Sequence, residues 1–134
     1  MIEENKKANI RDEVARADEA IKAATLLFEN GFVKDAVSKL YYALLYWIRS
    51  LLLTKGLEPR SHEGALRLFS LHFVKSGIFE VKDSHIFSKL MKYREEADYN
   101  PSYTFTEEDF NNFKKDAETL IQKITVYLRE KNYL

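Results

Sequence analysis

The segment Lys92-Tyr93-Arg94-Glu95-Glu96-Ala97-Asp98-Tyr99-Asn100-Pro101 places a permanent cation among apolar side chains. At ~100° per residue, Phe87, Leu90, Arg94 and Ala97 share one helical face, with Ile86 and Met91 at its edges. Ser88, Lys89, Lys92, Glu95 and Glu96 cover the other face. A guanidinium keeps its proton, so a core-facing arginine needs acceptors or a solvated cleft. Asp98, four residues on, is the nearest candidate acceptor. Two readings follow: a structural Arg94–Asp98 pair, or a cation held ready for an anionic ligand. If the helix carrying Arg94 packs beside the one carrying Lys39, Tyr41 and Tyr42, an arginine surrounded by tyrosine hydroxyls and ring faces suits phosphate and base recognition. Glu95, Glu96 and Asp98 pull the other way, because they repel a polyanion unless Arg94 is already paired.

His62 is the second candidate. Ser61 is suited to cap a helix beginning there, and the positive end of that helix disfavours an imidazolium. His62 also lies on the line of Leu66, Phe69 and Phe73. It is therefore either a neutral core histidine bonded to a neighbour or a group that handles a proton. Other chemistries lack their residues. Di-metal bundle sites use Glu-x-x-His pairs, and none of His62, His72 or His85 has a glutamate three residues before it. No His-x-x-x-His pair and no cysteine ligand exist, so no metal site is expected. Four scattered glycines form no phosphate-cradling loop, and no cofactor is expected. No strained elbow marks a serine nucleophile.

Five helical segments position these residues. The first is expected from about Asn9 to Glu29, with Ile10, Val14, Ala17, Ile21, Ala24 and Phe28 inward, and Asn30-Gly31 stopping it. The second runs from about Phe32 to Lys55. Its main stripe, Val37, Leu40, Leu44, Trp47, Ile48 and Leu51, is joined on the opposite side by Tyr42, Tyr46 and Leu53. A helix apolar nearly all round belongs at the bundle centre or at a subunit interface. The third runs from about His62 to Ser76 and ends at Gly77. The fourth runs from Lys82 to Asp98 or Tyr99, stopped because Asn100 precedes a proline. Thr106-Glu107-Glu108-Asp109 opens the last, which reaches about Glu130 with Phe110, Phe113, Ala117, Leu120, Ile121, Ile124 and Leu128 inward. No segment alternates as a strand. The expected fold is all-α, an up-and-down four-helix bundle with one additional short helix, in a single domain.

Composition narrows the function. The 134 residues carry 21 Lys+Arg against 21 Asp+Glu, so the chain is formally neutral and lacks the basic excess of a general polyanion binder. With no cysteine there is no disulfide and no thiolate chemistry. The polar start, Met-Ile-Glu-Glu-Asn-Lys-Lys, does not read as a signal peptide. The longest apolar stretch, Leu40 to Leu53, is broken by Arg49 and too short for a bilayer. A cytoplasmic protein without a membrane partner is the simplest expectation.

Ser38-Lys39-Leu40-Tyr41-Tyr42-Ala43-Leu44, then His62-Glu63-Gly64, then Phe73-Val74-Lys75-Ser76-Gly77, then Arg94-Glu95-Glu96-Ala97-Asp98-Tyr99 follow one another in this chain. Their order, more than any one of them, resembles the small prokaryotic HEPN domains (higher eukaryotes and prokaryotes nucleotide-binding), over about Gly31 to Tyr127. The resemblance implies a dimeric helical bundle that works on nucleotides or RNA. Many such domains are metal-independent endoribonucleases of toxin–antitoxin or defence systems, often paired with a minimal nucleotidyltransferase. Their Arg-x4–6-His motif uses arginine to steady the phosphate and histidine to move a proton. Here Arg94 matches the arginine, but Tyr99 stands five residues on and no histidine occupies the matching positions. Tyr99, with an ordinary pKa near ~10, is a poor base at neutral pH. Arg67 and His72 have the motif's spacing, but they lie on the third helix, ~140° apart around its axis.

The expected role is therefore a homodimeric nucleotide- or RNA-binding domain, one component of a two-protein system with a minimal nucleotidyltransferase. Arg94, Lys39, Tyr41 and Tyr42 would bind phosphate, and Arg94, His62 and Tyr99 are the catalytic candidates. By the same resemblance Tyr99 or Tyr103 could accept a nucleotidyl group. The competing readings are a metal-independent endoribonuclease using Arg94, and a scaffold in which Arg94–Asp98 is purely structural.

Overall fold

The helix with the most apolar surface has the most neighbours. In the computed structural model, which describes residues 2–134, α1 (Glu3–Glu29), α2 (Val33–Leu53), α3 (His62–Phe69), α4 (Val81–Tyr99) and α5 (Glu107–Glu130) follow in order, with no strand among the described residues. α2 packs against all four others. Leu40, Leu44, Ile48 and Leu51 are enclosed on its main stripe, and Tyr41, Leu45 and Leu52 on its further sides. Each fully buried side chain of this size contributes roughly 1.5–3 kcal/mol. Tyr42 and Tyr46 remain half-buried at the solvent edge. The architecture is the expected all-α bundle of four long helices and a short one.

α1 and α2 form a hairpin across Asn30–Phe32. Gly31 takes φ +84°, which a side chain would resist, and the Phe32 N–H closes the turn on the Leu27 carbonyl at 2.8 Å. α1 starts at Glu3, six residues before the expected Asn9. Glu3 and Glu4 favour the positive helix end, and Lys6 Nζ donates to the Thr54 carbonyl at 3.2 Å, docking the added turn on the end of α2. Periodicity missed this turn because it is polar and held by its ends.

The third segment is regular only to Phe69. Ser70–Val74 forms a wider π turn, with the Lys75 N–H reaching the Ser70 carbonyl at 2.8 Å. The extra residue keeps both Phe69 and Phe73 in the core, where Phe73 meets the rings of Phe79 and Tyr127 edge-on. α4 stops as expected, with Asn100 extended before Pro101. Tyr93, Tyr103, Phe105 and Phe113 pack together under the connection to α5. Thr106 and Asp109 cap α5 reciprocally, at 3.0 and 2.9 Å.

One polar contact between α4 and α5 had no signature in the apolar pattern. Asp83 is completely buried, and its carboxylate takes the Glu80 N–H at 2.9 Å and Lys123 Nζ of α5 at 3.0 Å. Lys123 also donates to Glu80 at 2.8 Å. This network fixes the start of α4, and so the register that aims Arg94 just over three turns after Asp83.

Candidate phosphate-binding site

α4 carries Arg94 into the bundle as its apolar stripe dictates. Phe87, Leu90 and Ala97 are buried, and Arg94 itself is 5 % exposed. Its pairing is poor for so buried a cation. Nη1 is 3.7 Å from Asp98 Oδ2, too long for a hydrogen bond, and Nε is buried with no protein partner. The guanidinium carbon lies 5.4 Å from the centre of the Tyr41 ring and 5.8 Å from that of Tyr99. The fork is therefore held by two aromatic rings and not by a carboxylate, which leaves donors available.

α2 supplies the floor. Tyr41 is fully buried, its ring stacked on Phe87 at 5.9 Å. Its hydroxyl shares a 2.8 Å hydrogen bond with Nδ1 of His62, the first residue of α3, whose preceding Ser61 caps the helix by accepting the Gly64 N–H at 2.9 Å. Burial holds the Tyr41 phenol well above its ordinary range, with Arg94 opposing, so it stays protonated. No second acceptor lies within bonding distance of that buried hydroxyl among the described residues. Satisfying it assigns Tyr41 as the donor and Nδ1 as the acceptor, which leaves the His62 proton on Nε2. Burial, then the Arg94 charge, push the His62 pKa below 6.5, so the ring is neutral at pH 7. Of the two sequence readings of His62, this geometry is that of a neutral histidine bonded to a neighbour, and the ring still reaches the surface.

His62, Arg94, Tyr42 and Tyr99 line one open cleft of about 500 Å³, with Glu95, Glu96 and Asn100 at its rim. Tyr42 meets His62 edge-on at 6.0 Å, and burial raises its pKa against the Arg94 charge. Tyr99 is 75 % exposed. Asn100 binds its wall down: its carbonyl accepts Lys34 Nζ at 2.9 Å, and its amide donates to Glu96 at 2.8 Å. The sequence candidates thus divide. Arg94, His62, Tyr42 and Tyr99 come together, with Tyr41 beneath them and Asp98 alongside. Lys39 faces a neighbouring hollow with Tyr42 and Tyr46. Tyr103 packs on Tyr93 and Phe105. The sequence marks Asn100 only as a helix stop before proline; its bonds to Lys34 and Glu96, which hold it at the cleft, have no local signature.

The arrangement presents a forked cation, a neutral imidazole N–H and aromatic faces in one depression, a set suited to a phosphate with a base attached. Among the described residues no cluster of three or more His, Asp or Glu side chains could hold a metal ion. No helix among them is long and apolar enough to cross a membrane.

Comparison with known proteins agrees with the ordered segments. A Methanocaldococcus jannaschii protein carrying the name "Putative toxin" is 36 % identical over 126 residues, 91 % of this chain and 93 % of its own. A second protein of that organism with the same description is 29 % identical over 121 residues, 90 % of this chain and 82 % of its own. A Thermotoga maritima "UPF0332 protein" is 34 % identical over 109 residues, covering 81 % of this chain and 83 % of its own. The HEPN domain model matches residues 10–129, extending the resemblance read from Gly31 to Tyr127 back through most of α1, and the chain belongs to the HEPN domain family.

Proposed function

We propose that this chain is a toxin-type HEPN domain that binds a phosphate of a nucleotide or RNA in the Arg94–His62 cleft. It would act as a homodimer beside a minimal nucleotidyltransferase. The carrying observation is the nearly enclosed guanidinium of Arg94 on the wall of an open cleft, with no hydrogen-bond partner at Nε and only a long contact to Asp98. A protein that needed Arg94 only for structure would give it a bonded carboxylate; Asp98 at 3.7 Å does not serve. The two names given to the M. jannaschii relatives support the toxin assignment. Titration with 5′-AMP and with a short single-stranded RNA tests the reading. Wild type should bind, Arg94→Met should not, and Arg94→Lys should bind weakly because it keeps the charge but not the fork. Equal binding by wild type and Arg94→Met would overturn it. Co-expression with the nucleotidyltransferase tests the partnership, and mass spectrometry of the product tests nucleotidyl transfer. In that step the tyrosine hydroxyl oxygen attacks the α-phosphorus of a nucleoside triphosphate, pyrophosphate leaves, and the phenolic proton goes to solvent. Tyr99 is the better acceptor, being exposed beside Arg94, whereas Tyr103 packs against rings.

Metal-independent RNA cleavage is the second reading, favoured by the meeting of Arg94 and His62 from different helices. The His62 protonation state weighs against it. A neutral ring whose Nδ1 accepts from Tyr41 has no lone pair free to take the 2′-hydroxyl proton, and a lowered pKa makes it a minor acid at pH 7. It is well formed to donate Nε2–H to a phosphate oxygen. Purified protein that cuts RNA in EDTA, and loses the activity in His62→Asn, would reverse this ranking.

A further inference from the structure

A second pair of cations adjoins the cleft. Arg49 follows Tyr42 and Tyr46 along the same face of α2, one turn beyond Tyr46. Arg49, Arg60, Ser61 and His62 line a small hollow of which Arg94 is not part, so His62 borders two depressions. Both arginines are available. Arg60 is exposed and has no ion-pair partner among the described residues. Arg49 approaches only Glu13, at 4.0 Å and without a hydrogen bond, and its side chain is 40 % exposed. The His62 ring is common to both depressions, and ring surface continues from it along α2, with Tyr42 6.0 Å from His62 and 6.3 Å from Tyr46. Cations alternating with rings along one face are what a single strand requires, since the rings take successive bases and the cations successive phosphates. Carboxylates adjoin both cation sites: Asp12, Glu13 and Glu58 share a hollow with Arg49, and Glu95 and Glu96 line the Arg94 cleft. They would repel further phosphates, which fits a neutral chain and a short footprint.

We propose that Arg49 and Arg60 form a second phosphate subsite, so that the ligand is a single-stranded oligonucleotide segment with two consecutive phosphates spanning His62. This deepens the Arg94 reading and rests on it. The test compares 5′-AMP, the 5′-phosphorylated dinucleotide pApA and hexa-adenylate RNA, each titrated at several salt concentrations. Wild type should prefer pApA to AMP by about tenfold, with little further gain for the hexamer. Arg60→Glu, a change to an exposed loop side chain, should remove most of that preference. Arg49→Gln with Arg60→Ala should also lower the slope of log K against log salt for pApA by about 1. Wild type binding AMP and pApA equally, or Arg60→Glu keeping the full preference, would overturn the second subsite while the Arg94 cleft stands. Failure of wild type to bind any of the three would overturn both. Should Arg49→Gln unfold the chain, although Arg16 still pairs with Glu13 at 3.6 Å, Arg60→Glu alone decides.

Discussion

Replacing Arg94 by methionine separates a functional cation from a structural one, because the two roles predict different stabilities. The guanidinium costs the fold an unsatisfied buried Nε, worth about 1–3 kcal/mol. In return, the Asp98 contact at 3.7 Å, within one helix and with a partly solvated partner, contributes about 0.3–0.5 kcal/mol. The Tyr41 and Tyr99 rings at 5.4 and 5.8 Å contribute roughly 0.5–1 kcal/mol each, of which a thioether recovers a part. The sums nearly cancel. Arg94→Met should therefore change stability by no more than about 1 kcal/mol, a Tm shift within roughly 4 °C, while abolishing AMP binding. Had Arg94–Asp98 been a buried structural pair, removing one partner would cost about 3–5 kcal/mol. Urea unfolding with a double-mutant cycle against Asp98→Asn measures both quantities. A loss above ~3 kcal/mol, with strong Arg94–Asp98 coupling, would refute the reasoning and restore the scaffold reading.

Further outcomes follow from the surroundings of the cleft. Because the folded His62 pKa lies below its unfolded 6.5, the unfolded chain binds more protons between those values, so the His62 contribution to stability is present above pH 6.5 and lost as pH falls through the folded pKa; His62→Asn should flatten that acid limb in thermal melts from pH 5 to 7.5. In Arg94→Met the His62 pKa, followed by NMR, should rise toward 6.5 without reaching it, since burial is the larger cause. Tyr41→Phe removes the donor to Nδ1 and should also raise that pKa, with the ¹⁵N shifts of the ring moving from a pure Nε2–H form to a tautomer mixture. Lys123→Met leaves the enclosed Asp83 with only a backbone donor and should cost about 3 kcal/mol in chemical denaturation, the lower end for a broken buried pair because Lys123 is partly exposed, largely restored in Lys123→Arg.

The parts of this molecule legible in its sequence are those set by periodicity and turn chemistry. A strict apolar stripe placed Arg94 inside the bundle, and an all-round apolar helix put α2 among four neighbours, because burial follows the helical repeat whatever the partners are. Asn100-Pro101 and Thr106 marked their boundaries for local reasons, since each restricts or satisfies its own backbone. What stayed hidden depends on groups far apart in the chain. The Tyr41–His62 bond spans 21 positions, Lys34 to Asn100 spans 66, and Lys123 to Asp83 spans 40. The first turn of α1 is likewise stabilised by α2's end, not by its own pattern.

The missing histidine after Arg94 shows how much that distinction matters. Read along the chain, Tyr99 in the motif position removes the proton-handling group. Read in space, an imidazole borders the same cleft, delivered by the start of α3 and held by a tyrosine from α2. The substitution is nevertheless not neutral. A histidine on α4 beside the cleft could keep both ring nitrogens exposed, whereas His62 has its lone pair occupied and its proton turned to the other nitrogen. In the proposed reading the same two residue types serve as a donor pair for a phosphate, and freeing Nδ1 in Tyr41→Phe is the change that should bring the cleft closest to cleavage chemistry. If RNA is cut by Tyr41→Phe and spared by wild type, the hydrogen bond at 2.8 Å is what holds this site to binding.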